Sequence, residues 1–119
     1  MHIRLYIIFT LFLIISLPLK SKIKELDDRL ANLVQGRNIK NSVTEIKELI
    51  KKGANPNLKI NFPPLHMAVM RNMPDLINFL VCNGAKPESK DIARRTARSI
   101  AKSKGVEHLL KCKKNDFDE

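Results

Sequence analysis

Three histidines, two cysteines and twelve carboxylates are the side chains of this sequence able to ligate a metal, attack an electrophile or move a proton. Their spacing argues against each of those chemistries. His2, His66 and His108 stand far apart, and none has a second His or a Cys at the short spacing of a zinc site. Cys82 and Cys112 form no CxxC pair, and no GxSxG, GxGxxG or Walker-type phosphate loop is present. The carboxylates Asp27, Asp28, Glu45, Glu48, Asp75 and Asp91 are scattered. Glu48 has Lys51 and Lys52 three and four positions on, the spacing of ion pairs on a solvated helix face rather than of an acid–base dyad. Neither a catalytic set nor a metal or cofactor site is read here, so a non-enzyme is expected, with no small-molecule substrate.

The elements that hold these residues follow from composition. Aromatic residues are 5% of the chain and Trp is absent, so the core must be built from Leu, Ile, Val, Ala and Met, which favours helices over an all-β sandwich. The net charge of +10 raises association with acidic proteins, anionic membrane or nucleic acid. Basic runs stop at pairs such as Arg94-Arg95 and Lys113-Lys114, and no aromatics are interleaved to stack bases. That pattern disfavours nucleic acid and leaves acidic proteins and anionic membrane open.

Residues 1–21 read as a signal peptide or membrane anchor. Arg4 precedes an uncharged run from Leu5 to Leu19, which Lys20, Lys22 and Lys24 close. As a helix the run is about 22 Å long, short of the roughly 30 Å hydrocarbon core. A basic start with so short an apolar run fits an export signal, and hence a periplasmic or secreted protein. No A-x-A precedes a cleavage point near Ser21, so an uncleaved anchor through residues 5–19 stays open, as does a start codon placed too early.

Downstream, two landmarks recur. Pro63-Pro64-Leu65-His66-Met67-Ala68 is followed, 33 residues on, by Thr96-Ala97-Arg98-Ser99-Ile100-Ala101. Gly53-Ala54-Asn55-Pro56-Asn57 returns as Gly84-Ala85-Lys86-Pro87-Glu88, 31 residues on. A period near 33 containing Pro-Leu-His-x-Ala resembles the ankyrin repeat family. The resemblance covers roughly residues 22–114 and implies an all-α solenoid of about three stacked helix-turn-helix repeats joined by short turns or hairpins. Residues 22–57 would be the N-terminal capping repeat, 58–90 the central repeat, 91–114 a truncated C-terminal cap and 115–119 an acidic tail. Pro63 departs from the usual Thr, Ser99 from the His, and Asn72-Met73-Pro74 from a Gly-containing turn.

Local patterning supports the same layout. Ile23, Leu26, Leu30, Leu33 and Val34 make one apolar helix face, and Val43, Ile46, Leu49 and Ile50 a second. Gln35 to Ser42 is expected as a loop. Pro64 suits a first helical turn, with Leu65, Ala68 and Val69 on its inner face. Pro74 stops that helix and starts another carrying Leu76, Ile77, Leu80 and Val81. A helix from Thr96 to Ser103 and a last short helix with Val106, Leu109 and Leu110 complete the stack.

The resemblance also assigns roles. His66 would be a structural imidazole bonded to loop backbone. Cys82 would sit near the exposed end of a second helix and Cys112 nearer the core-facing row. Helices 8–10 Å apart do not bring Cα atoms within the roughly 7 Å a bridge needs, so two free thiols are expected, with a disulfide open in an exported protein. A monomer is expected, binding a protein partner through turn tips and first helices. Those tips carry Leu58, Lys59, Ile60 and Asn61, then Lys90, Asp91, Arg94 and Arg95. The first helices contribute Met70, Arg71, Ser103 and Lys104. Lys59, Ile60, Met70, Arg71, Arg94, Arg95 and Lys104 are the expected contacts, with a plain solvated basic face, or a truncated repeat fragment without a specific partner, as the alternatives left open.

Overall fold

The structure, a computed structural model, describes residues 2–114, and within its first helix the side chains of Ile7 and of Leu19 onward. The tail expected at 115–119 lies outside the described residues. Five α-helices follow in order: α1 (His2–Gln35), α2 (Val43–Lys51), α3 (Pro64–Met70), α4 (Pro74–Cys82) and α5 (Ala97–Ser103). Two single turns of 3-10 helix, Ile39–Ser42 and Glu107–Leu110, complete the set.

Helix α1 runs without a break through the boundary expected at residue 21. Its contribution to the core starts with partly buried Leu26 and continues through Leu30, Leu33 and Val34, whereas Ile23, expected on the inner face, is exposed. Among the described residues no helix is long and apolar enough to cross a membrane. The segment between α1 and α2 differs from a plain loop. It folds into the first 3-10 turn because Ile39, 2% exposed, drops into the core beside α1 and α2.

Four helix ends use one device. After α2, α3, α4 and α5 the chain enters a left-handed conformation at Gly53 (φ 115°), Asn72 (φ 55°), Gly84 (φ 96°) and Gly105 (φ 72°). Each time the next amide turns back onto the helix. Ala54 N–H donates to the Leu49 carbonyl, Met73 to Ala68, Ala85 to Leu80 and Val106 to Ala101, at 2.9–3.0 Å. These bonds satisfy carbonyls that the helix end leaves open. Asn72 stands in where glycine would be expected, and its short polar side chain tolerates the left-handed region better than most.

Helix α3 is the centre of the stack. It packs on α4 and α5 and touches α1, and Pro64 through Val69 are all buried. Pro64 and Pro74 each occupy a first helical turn, where a missing N–H breaks no bond. Ala68 and Ala101, both fully buried, keep the paired helices close. Helix α5 starts at Thr96, whose Oγ1 accepts the Ser99 N–H at 3.0 Å. The closing helix is one 3-10 turn packed on α4 and α5 through Leu110.

The expectation of two free thiols is corrected: Cys82 and Cys112 form a disulfide with Cα atoms 4.8 Å apart. The helix-spacing argument does not apply, because Cys112 is on no helix. The chain leaves the last 3-10 turn in extended conformation at Lys111. It is laid along α4 by Asn78, whose Oδ1 accepts the Lys113 N–H at 2.8 Å and whose Nδ2 donates to the Lys113 carbonyl at 3.2 Å.

Candidate partner-binding surface

Two turn tips project from the stack, and their own hydrogen bonds fix their shape. In the first, the Asn55 N–H donates to Asp27 Oδ1 on α1 at 2.7 Å, and the Asn57 N–H to Asn55 Oδ1 at 2.8 Å. The Asn57 amide then spans to the turn after α4. It donates to the Gly84 carbonyl at 2.9 Å and accepts the Lys86 N–H at 2.8 Å. A direct backbone bond, Ile92 N–H to the Asn61 carbonyl at 2.9 Å, ties the first tip to the second.

The second tip is a tight hairpin closed by a single antiparallel bridge between Lys90 and Thr96. Asp91 is its knot. Its carboxylate, with no solvent-accessible side-chain surface, accepts the Arg95 N–H at 2.8 Å and the Arg95 guanidinium at 3.0 Å. Burial alone would raise the Asp91 pKa; the Arg95 backbone bond, the guanidinium charge and the nearby His66 together outweigh it and hold the carboxyl below its ordinary value. His66, fully buried on α3, donates from Nε2 to the Arg95 carbonyl at 2.9 Å. His66 Nε2 and the Asp91 carboxylate are thus committed to one turn, while His66 Nδ1 is buried without a hydrogen-bond partner among the described residues.

Arg94 completes that hairpin in the left-handed region, at φ 62°, without the freedom of glycine. The conformation costs an L-residue about 1–2 kcal/mol, and glycine recovers most of that less its own chain entropy. Arg94→Gly is therefore expected to raise the unfolding free energy by about 0.5–1 kcal/mol in urea melts.

Around these tips lie two grooves that share Asn61. The first, of about 620 Å³, runs between the tips, with Lys59, Ile60, Lys90 and Ile92 among its walls. The second, of about 600 Å³, lies where the end of α1 meets α3 and is lined by Gln35, Asn61, Phe62, Met67, Met70 and Arg71. Lys104, just past α5, donates from Nζ to the Met70 carbonyl at 3.3 Å, which brings its charge to the end of α3. The expected contacts therefore fall into two groups, Lys59 with Ile60 and Met70 with Arg71 and Lys104. Arg94 and Arg95 are both exposed on the second tip, but the Arg95 guanidinium is ion-paired to the buried Asp91 carboxylate.

Several residues of this surface escaped the sequence reading. Ile92, 65% exposed, is the chief one; its signal was a lone large aliphatic in an otherwise polar turn. Lys86, Gln35 and Phe62 enter through contacts between units that no local pattern announces. Among the described residues no group of His, Cys, Asp or Glu is placed to hold a metal ion.

The ankyrin repeat family model matches residues 61–92, from the end of the first tip through α3 and α4 into the second. No curated protein and no solved structure matches the chain.

Proposed function

The chain is an ankyrin repeat protein, its matched unit running over residues 61–92, and on that premise we propose that it binds another protein through the face formed by its tips and first helices. The observation that carries this reading is the pair of grooves meeting at Asn61, one between the tips and one beside α3. Both combine apolar walls with basic residues, the make-up of a contact with an apolar centre and a polar rim. A catalytic role has less to draw on, since His66 Nε2 and the Asp91 carboxylate are both hydrogen-bonded to Arg95 within the hairpin.

The partner is acidic in character, matching Lys59, Lys90, Arg71, Arg94 and Lys104 on this face. The protein acts as a monomer outside the cytoplasm, released from residues 1–21 or held at the membrane through residues 5–19. The exposed Cys82–Cys112 disulfide supports export, because such bonds persist in oxidising compartments. Reversing two rim charges together, Arg71→Glu with Arg94→Glu, is expected to weaken a purified partner by about tenfold or more. Titration calorimetry reads this directly; unchanged affinity would remove this face from the interface.

A further inference from the structure

We propose that the groove between the tips receives an extended acidic segment of the partner, with one apolar side chain seated between Ile60 and Ile92. This deepens the protein-binding reading above and rests on it.

Three observations meet here. The groove has an apolar strip among its polar walls: Leu58 and Ile60 pack partly into the core, and Ile92 stands 65% exposed. The rim is cationic and unspent. Lys59, Lys86 and Lys90 line the groove, and among the described residues none of them is ion-paired. The acid that lines the same groove, Asp91, has its carboxylate sealed against Arg95 and offers these lysines no partner. The third observation is rigidity. The Asn57 amide and the Asn61–Ile92 backbone bond hold the two walls at fixed separation, so a ligand meets a formed site and loses little affinity to ordering it.

Positive charge around an apolar slot selects carboxylates on either side of an aliphatic or aromatic residue. A nucleic acid would want aromatic faces to stack on, which these walls lack. A membrane would meet the charges on a flat or convex face rather than inside a groove.

The test is selection of random displayed heptapeptides on the immobilised full chain, followed by fluorescence anisotropy of the enriched sequences. The expected consensus has two or more Asp or Glu residues flanking one Leu, Ile or Phe. Ile92→Asp, at an exposed position that leaves the fold intact, should weaken those peptides about tenfold, and Lys59→Glu with Lys90→Glu at least as much. The charge-matched control, Lys51→Glu with Lys52→Glu on the far end of α2, should stay within about twofold. Enrichment without acidic bias, affinity indifferent to Ile92→Asp, or displacement of the peptides by phosphatidylserine vesicles would each overturn the proposal. So would no enrichment at all. An intact partner that still cross-links at Met70 would then show that only the tip groove, not protein binding by the wider face, had failed.

Discussion

Removing the disulfide with Cys82→Ser and Cys112→Ser is expected to lower the unfolding free energy by about 3.5 kcal/mol, and the melting temperature by roughly 15 °C. The size follows from the loop it closes. The two cysteines are 30 residues apart, and a link of that span removes much of the freedom of the unfolded chain. Domains of this size are stabilised by only about 5–15 kcal/mol in total, so the loss would be a large part of what holds three short units together. The segment bridged contains α5 and the last 3-10 turn, whose packing on α4 is otherwise carried by a few side chains around Leu110. Urea melts of wild type with and without a thiol reductant should reproduce the difference seen in the variant. Coincident curves would mean that the bridge contributes nothing to stability.

The second large effect is at His66. His66→Ala is expected to cost about 2–4 kcal/mol, combining an unfilled site in the core with an Arg95 carbonyl deprived of a buried donor. The effect should also be local. Arg95 is the residue through which Asp91, the hairpin and α3 are joined, so the Arg95 and Arg94 amides should exchange with solvent faster than those of α2. His66→Gln, which keeps a donor but not the ring, should recover part of the loss. A His66→Ala variant as stable as wild type would show that the imidazole does not join the hairpin to α3.

What the sequence disclosed, it disclosed where one residue type answers one local demand. Pro64 and Pro74 opened helices, because that requirement is met within a few positions along the chain. The histidine after Pro-Leu was assigned to backbone, and it binds the Arg95 carbonyl. Relations across units were not legible. Nothing about Ile39 says that a 3-10 turn will carry it into the core. Nothing near Asn57 points to Gly84 and Lys86, some thirty residues away. Cys112 was treated as a helical position, and the bridge became visible only once the chain after Leu110 was seen to run extended along α4. The site divides the same way. Its charged residues could be placed by register, but their standing depended on neighbours, as with Arg95, whose charge is committed to Asp91, and Ile92, left uncovered on the tip.

The central claim is that one face of the stack, its tips and first helices, is the surface that meets a partner. Site-specific photo-cross-linking measures this most directly, with a benzophenone side chain placed in turn at positions 60, 70, 51 and 83 of the full chain. Positions 60 and 70 are expected to capture the same partner protein, while position 51 at the end of α2 and position 83 at the end of α4 capture none. Capture from 51 or 83, with 60 and 70 silent, would contradict the account.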